Sequence, residues 1–272
     1  MSRTWFAAPL ETVATWWRIE RIDGVALGFT SHDSDLRFAG LLHRAAPGMV
    51  PSAVRRTTAI DSDSAEIAGA LSHDAIDTGE LEAGRFDGAR VTMGLVDWTS
   101  GENETLYAGT IGAVGSEGAT FSAELLSLKS RLALEIVPRT SPTCRAEFCG
   151  PGCTLSPATF ESEARVSAIS SDGRTIRVDA LGDAARFAFG TLRWVDGSET
   201  GLVRRIDDVD TGGWFGLDRP PNPSLVLGTR VLLREGCDHT LETCATRFGN
   251  AINFQGEPFL PGNDLLTSYP SP

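Results

Sequence analysis

The sequence has no cysteine in its first 143 residues, and its cysteines lie in two short stretches. One stretch spans residues 143–153 and the other spans residues 236–244. The five cysteines are Cys144, Cys149, Cys153, Cys237 and Cys244. Cysteines used only as small core residues would not be expected to gather in this way. The clustering predicts that the two stretches meet in space and hold one metal centre.

Export and membrane signals are also lacking. Residues 1–6 contain no apolar run long enough for a signal peptide, and no stretch approaches the length of a membrane span. We therefore expect no membrane anchor. Without an export signal, an odd number of cysteines favours a metal site over a disulfide scaffold. Reduced thiols with an occasional disulfide are the alternative.

Basic charge is scarce. The chain has 24 Lys and Arg against 36 Asp and Glu, which gives a net charge of -12 and a sequence pI near 4.8. Nucleic-acid binding needs clustered basic residues, so sequence-specific nucleic-acid binding is not expected. An acidic chain of this kind suits a soluble protein or one that docks on basic protein surfaces.

Histidine is rare as well, with four in the chain. His32, His43 and His73 lie far from the cysteines in sequence, and each is predicted to be structural. His239 lies two residues after Cys237 and could replace a thiolate ligand, although a loop histidine is the simpler interpretation. A hydrolase needs converging His, Asp and Glu side chains, and isolated histidines do not favour one.

Other possible motifs are weak. The glycines of residues 112–118 do not follow a strand-to-helix pattern, so they indicate a turn and not a phosphate loop. Four aspartates could be imagined as a cation site, but solvated turn carboxylates are the simpler interpretation. They are Asp33, Asp35, Asp61 and Asp63.

Glycine and proline are frequent, with 29 and 14 residues, and they divide the chain into short alternating segments. Thr15–Ile22 and Val25–Thr30 predict a hairpin with a type I′ turn at Asp23–Gly24. Asp77 is expected to cap a short helix, with Glu80 as its capping-box partner. Further strands are predicted at 36–38, 89–98, 106–114, 119–125, 164–170, 175–180, 187–195, 201–206 and 227–234. Residues 127–136 fit a helix or a strand equally well.

This pattern predicts a mainly β chain with two β-barrel or sandwich-like domains, a few short helices and a cysteine-rich region. Prolines and three cysteines mark a composition break over Pro138–Pro157. We therefore expect an N-terminal β-rich domain at 1–137 and a C-terminal β domain with the cysteine site at 138–272. Four tryptophans in predicted strands are expected in the core: Trp16, Trp17, Trp98 and Trp194.

A distinctive segment follows the last cysteine. Residues 247–262, called the closing segment here, are rich in aromatics, Asn and Gly. We expect this segment to fold back over the metal site. Asn250 and Asn253 would then satisfy loop backbone groups. Three phenylalanines would shield the sulfurs: Phe248, Phe254 and Phe259.

The cysteine spacing is compatible with two kinds of centre. Eight residues separate Cys144 from Cys153, and six separate Cys237 from Cys244. Four thiolates can hold a tetrahedral zinc ion or a [4Fe–4S] cluster. Zinc ribbons usually have cysteines separated by two residues, and none occur here. This tilts the interpretation towards iron–sulfur, with zinc as the alternative.

The spacing of the two cysteine pairs, Cys144 with Cys153 and Cys237 with Cys244, and the closing segment resemble the hub, or tail-tip, protein of long-tailed bacteriophages and gene transfer agents. Residues 28–33, 46–49 and 84–89 are similar to segments of the same family, so the resemblance covers nearly the whole chain. It implies a structural and non-enzymatic baseplate hub in a virion tail or tail-like particle, assembled in the bacterial cytoplasm. It also implies a homotrimer between the distal tail protein and the central tail-tip or fibre protein.

The resemblance further implies a ligand set for a [4Fe–4S] cluster, which is Cys144, Cys153, Cys237 and Cys244. Cys149 departs from the family pattern and is either a spare thiol or an alternative ligand. A tail-associated cell-wall hydrolase and a glycan- or receptor-binding module with a structural zinc remain the alternative functions. The resemblance does not separate an infectious phage from a gene transfer agent.

Overall fold

The computed structural model describes residues 11–45, 50–51, 64–70, 76, 78–117, 120–127, 129, 137–179 and 182–260. The chain divides into two compact units, Met1–Ile136 and Val137–Pro272. The mainly β prediction is confirmed, because most described elements are strands and the helices are short. No helix in these ranges is long and apolar enough to cross a membrane.

The N-terminal unit is built on one sheet. Its elements are β1 Val13–Glu20, β2 Ala26–Thr30, β3 Leu36–Phe38, β4 Leu41–Ala45, β5 Val50–Pro51, β6 Ser64–Ala70, α1 Thr78–Glu82, β7 Arg90–Asp97, β8 Asn103–Glu117 and β9 Thr120–Ser127. The nine strands lie in the order β3-β4-β2-β1-β7-β8-β9-β6-β5. β2 and β4 pair in parallel, and the other neighbours pair antiparallel.

Both faces of this sheet bury apolar side chains at β1. Trp17 and Ile19 belong to one core cluster, whereas Ala14 and Trp16 belong to another. Alternate residues of a strand point to opposite faces, so a strand that is covered on both sides loses the simple alternation of polar and apolar residues. This explains the adjacent tryptophans in the sequence.

Trp98 is a correction to the predicted core. Trp16, Trp17 and Trp194 are at most 5% exposed, but Trp98 is 36% exposed. It follows the last residue of β7, where the strand ends and a turn begins. Its ring centroid lies 4.8 Å from that of His32.

The β1–β2 hairpin is confirmed, but its predicted turn type is wrong. A type I′ turn needs positive φ at both central residues, and here only Gly24 has it, at φ 89°. The Gly24 N–H donates to the Arg21 C=O over 3.1 Å, and the Arg21 N–H donates to the Val25 C=O over 2.9 Å. This is the three-residue loop in which a turn is followed by one left-handed residue.

The predicted helix is present as α1, and Gly84 follows it with φ 72°. Its expected capping residue Asp77 lies outside the described residues, as do His73, Asp61 and Asp63. Most of the ambiguous segment 127–136 also lies outside them.

The C-terminal unit is a closed six-stranded barrel in the order β10-β11-β14-β13-β12-β15. The strands are β10 Glu161–Ile169, β11 Thr175–Val178, β12 Thr191–Trp194, β13 Val203–Val209, β14 Trp214–Leu217 and β15 Arg230–Arg234. The helices are α2 Leu241–Thr246 and the 3₁₀ turns Pro157–Thr159, Ala184–Phe187 and Ala251–Asn253. Inward residues of the strands fill the barrel, among them Trp194, Phe215 and Leu233, each 0% exposed.

The sequence predicted five of the six barrel strands. The hairpin across Asp172–Gly173 is confirmed, with Gly173 at φ 68°. The predicted strand 187–195 is shorter, because a 3₁₀ turn occupies Ala184–Phe187 before β12. β14 was missed, since its Trp214–Leu217 run has only four residues and contains a glycine.

Candidate metal centre

The two cysteine stretches lie at the same end of the barrel. One stretch precedes β10 and the other follows β15. These strands are antiparallel neighbours, and Glu161 at the start of β10 pairs with Arg234 at the end of β15. The start of one strand therefore lies beside the end of the other, which brings their flanking segments together.

A pair of hydrogen bonds joins the two stretches directly. The Cys144 N–H donates to the His239 C=O over 2.8 Å. The His239 Nδ1 lies 3.0 Å from the Cys144 C=O. A carbonyl only accepts, so the proton of this second bond is assigned to Nδ1. The His239 ring is therefore held by backbone of the other stretch.

The closing segment folds back onto the first cysteine stretch. The Gln255 N–H points at the Cys144 Sγ over 3.3 Å, and the Arg145 N–H donates to the Gln255 C=O over 3.0 Å. The Gln255 Nε2 donates to the Gly152 C=O over 3.1 Å. A Cβ at position 152 would lie 2.6 Å from that nitrogen, so a larger residue there would displace the Gln255 amide.

An ion pair fixes the end of the described closing segment. Arg145 contacts Glu257 through two parallel bonds of 2.7 and 2.8 Å. The Ser141 N–H donates to the same carboxylate over 2.9 Å, and the Glu257 N–H donates back to the Ser141 C=O over 2.7 Å. The Arg145 hydrogen bonds, followed by the Ser141 N–H, lower the pKa of Glu257 to about 2.

The second stretch runs into α2, which carries Cys244. Thr240 caps this helix by accepting from the Thr243 N–H over 3.2 Å. Asp238 accepts from the Thr240 N–H over 2.9 Å and from the Thr243 hydroxyl over 2.8 Å. Beyond the helix, Arg247 donates to Glu235 over 2.6 Å. These contacts connect α2 to the end of β15.

An aromatic cluster packs beside the cysteine loops. Phe148, Phe160 and Phe248 have ring centroids 4.7 to 5.4 Å apart. Phe248 therefore packs against Phe148, which lies in the first cysteine stretch. Phe259 does not, because it is 87% exposed, and its predicted shielding role is wrong.

Two of the five cysteines are buried, and the other three are partly exposed. All five cysteines are free thiols, and Cys237 and Cys244 are 9% and 8% exposed. Burial is the largest cause that raises the pKa of Cys237 and of Cys244. The neighbouring sulfurs of Cys144 and Cys153 raise both pKa values further. The four sulfurs of the expected ligand set therefore lie within electrostatic range of one another.

Cys149 is placed differently. It has a left-handed backbone at φ 60°, which is unusual for a residue with a side chain. Burial raises the pKa of its thiol to about 11, and the neighbouring Cys153 adds to that shift. Cys149 is thus a weakly acidic thiol beside the other sulfurs.

Three of the four expected ligands face N–H groups. The His239 N–H lies 3.4 Å from the Cys237 Sγ, the Gln255 N–H lies 3.3 Å from the Cys144 Sγ, and the Asn250 Nδ2 lies 3.6 Å from the Cys153 Sγ. A thiolate accepts such bonds far better than a thiol does, since charge strengthens a hydrogen bond. The donor set therefore suits metal-bound thiolates.

The arrangement does not favour one zinc ion. In the described part of the chain, no three His, Cys, Asp or Glu side chains converge as ligands of a single metal ion. A zinc ion needs its sulfurs at about 2.3 Å from one centre. The chemistry of the donor set, four cysteine sulfurs, is compatible with a zinc ion or an iron–sulfur cluster.

The described histidines do not form a catalytic group. His43 is 1% exposed and stacks on Phe38 at 3.9 Å, and burial lowers the pKa of its imidazole to about 4. His32 contacts Asp33 in an exposed turn at 3.1 Å. Asp35, just before β3, accepts from the N–H of Ala45 at the end of β4 over 2.8 Å.

Sequence reasoning missed several contacts that organise this region. The pairing of Arg247 with Glu235 and of Arg145 with Glu257 joins residues that are distant in sequence. Phe148 and Phe160 were not assigned a role, although phenylalanines near a cysteine cluster are a usable signal. Asn250 was expected to satisfy loop backbone, and it donates to the Cys153 C=O over 2.7 Å.

Comparison with known proteins points to one class. Residues 3–156 match the family described as "Baseplate hub protein, N-terminal attachment domain", and residues 185–264 match "Phage conserved hypothetical protein BR0599". No curated protein matches the chain. A chain from the structure "Virion of native gene transfer agent (GTA) particle" is 33% identical with a TM-score of 0.85, covering 98% of this chain and 94% of that one. The chain therefore belongs to the family of baseplate hub proteins.

Proposed function

We propose that the chain is a structural hub at the distal end of a phage or gene-transfer-agent tail, where it links the distal tail ring to the central tip or fibre protein. Baseplate hub proteins are components of tails and tail-like particles, and this location follows from family membership. A non-enzymatic role is consistent with the described histidines, which do not gather into a catalytic group.

We further propose that Cys144, Cys153, Cys237 and Cys244 hold a [4Fe–4S] cluster. The observation that supports this most strongly is the convergence of N–H donors on three of these sulfurs. Such a cluster, when bound, adds covalent links between chain segments that are far apart in sequence. The cysteine loops and α2 would bind it, while the closing segment limits access of water.

The proposed role of the cluster is mechanical stability. The residues around the sulfurs come from loops, a short helix and 3₁₀ turns, which carry few backbone ladders of their own. Thiolate ligation would order these segments at the end of the barrel. All four ligands are thiolates, so no open position remains for a substrate.

Assembly tests the hub role. Particles made without this chain should lack a complete tail tip in electron micrographs, and the wild-type chain supplied in trans should restore it. A homotrimer with the distal tail protein above and the tip protein below is the expected arrangement in a map of the restored particle. Complete tips without the chain would overturn the hub role.

A second test addresses the cluster. Protein purified without oxygen should be brown and should absorb in the blue part of the visible spectrum. A colourless protein that is folded and binds zinc or no metal would overturn the cluster but leave the hub role intact. Release of peptidoglycan or glycan fragments by the pure chain would instead support a hydrolase.

A further inference from the structure

Asn250 connects the two cysteine stretches through its backbone and its side chain. Its N–H donates to the Cys244 C=O over 2.9 Å, and its Nδ2 donates to the Cys153 C=O over 2.7 Å. The same Nδ2 lies 3.6 Å from the Cys153 Sγ. Asn250 is 7% exposed, so these contacts are largely shielded from water.

A second asparagine fixes the orientation of the Asn250 amide. The Asn253 Nδ2 donates to the Asn250 Oδ1 over 2.7 Å, and the Asn253 N–H donates to the Asn250 C=O over 2.9 Å. Because Oδ1 already accepts from Asn253, the NH₂ group of Asn250 must face Cys153. The direction of the N–H groups towards the sulfur is therefore set by the hydrogen-bond network.

The other two N–H groups that approach sulfurs in the described residues belong to the backbone. They come from His239 and Gln255, and they would survive most side-chain substitutions. The Asn250 amide is a side chain, so one substitution can remove it. A substitution of Asn250 therefore removes the N–H group that faces the Cys153 sulfur.

We infer that Asn250 is a positioning residue that holds Cys153 in place and sets the reduction potential of the bound cluster. This inference rests on the proposed [4Fe–4S] site. An N–H donated to a ligand sulfur withdraws electron density from it and favours the reduced state of the centre. Asn250 also ties Cys153 to Cys244, so it opposes separation of the two stretches.

The test replaces Asn250 with a side chain of the same shape. Asn250→Asp loses the N–H donor and places a carboxylate beside the sulfur and the Cys153 C=O. Asn253→Ala is the milder variant, because it leaves the Asn250 amide in place but unoriented. Asn103→Asp makes the same change of charge at an exposed site in the N-terminal unit and serves as the control.

Two measurements on anaerobically prepared protein decide the outcome. The reduction potential of Asn250→Asp should be more negative than that of the wild type, and iron release to a chelator should be about 10-fold faster or more. Asn253→Ala should also lower the reduction potential and speed iron release, but both effects should be smaller than in Asn250→Asp. Asn103→Asp should match the wild type.

The possible results separate this inference from the cluster proposal. If the wild type binds the cluster and both Asn250→Asp and Asn253→Ala keep its potential, the inference is overturned and the cluster stands. If Asn250→Asp does not fold, the potential of Asn253→Ala decides, and an unchanged value overturns the inference. A wild-type protein without iron and sulfide overturns both.

Discussion

Cys144 and His239 pair through reciprocal bonds: the Cys144 N–H donates to the His239 C=O over 2.8 Å, and the His239 Nδ1 lies 3.0 Å from the Cys144 C=O. The two residues are 95 positions apart in the chain. This contact joins the two cysteine stretches directly, through backbone on one side and the His239 ring on the other.

Removing the His239 ring should loosen that contact. In His239→Ala the Cys144 C=O loses its side-chain donor, and we expect the free energy of unfolding of the C-terminal unit to fall by about 1 kcal/mol. His239→Asn should lose less, because asparagine tolerates the φ of 61° found here. Urea unfolding of both variants measures the difference. Equal stability of His239→Ala and the wild type would show that the ring contributes nothing.

Gly236 lets the chain pass closely over the barrel end just before Cys237. A Cβ at this position would lie 1.8 Å from the Ala188 C=O oxygen and 2.5 Å from the Gly190 nitrogen. Gly236→Ala should therefore destabilise the unit by about 2–3 kcal/mol, because backbone must move apart. Gly182→Ala is the matched control, since its Cβ would meet no atom within 4 Å. Calorimetric melting that is the same for both variants would contradict this account.

A buried ion pair supports one end of the barrel. The Arg204 guanidinium donates to Glu199 over 2.8 Å, and their side chains are 6% and 1% exposed. The same carboxylate accepts from the Asn222 N–H over 3.1 Å. Glu199→Gln removes the buried carboxylate charge that faces Arg204 and should cost about 3–5 kcal/mol. Asp207→Asn breaks an exposed pair with Arg205 and should cost less than about 1 kcal/mol. Similar losses in both variants would refute the distinction.

His43 should make the stability of the N-terminal unit depend on pH. Burial lowers the pKa of its imidazole from 6.5 to about 4, so the unfolded chain binds the proton more tightly than the folded chain. The free energy of unfolding is therefore highest above pH 6.5, where His43 is neutral in both states. It falls by about 3 kcal/mol in total as the pH is lowered from 6.5 towards 4, because the unfolded chain takes up the proton first. In His43→Gln the unfolding free energy should change less between pH 7 and about pH 4.5. An identical pH dependence in the two proteins would rule out this role of His43.

The sequence predicts the strands of this protein better than its turns and surface. Alternation and turn residues indicate the β1–β2 hairpin and most of the barrel, because these features are local. The turn at Gly24 depends on a single residue of positive φ, and the short β14 carries too little pattern to be recognised. Trp98 is 36% exposed because β7 ends one residue before it. The sequence pattern does not locate that strand end, so it predicted a core position for Trp98.

The site was predictable to a similar extent. The clustering of cysteines indicated that residues near 144 and 237 meet, and the Cys144–His239 contact shows that they do. The supporting pairs Arg145–Glu257 and Arg247–Glu235 could not be predicted, because no local pattern specifies which distant charges come together. Phe259 illustrates the same limit, since an aromatic residue in a loop can point either way.

The count of iron and acid-labile sulfide in anaerobically purified protein shows whether the four cysteines hold a [4Fe–4S] cluster. We expect about four of each per chain in the wild type and in Cys149→Ser. Iron and sulfide should both be lost when serine replaces any one of Cys144, Cys153, Cys237 and Cys244. A folded wild-type protein that contains zinc or no metal, or a cluster that is lost in Cys149→Ser and kept in Cys237→Ser, would contradict this expectation.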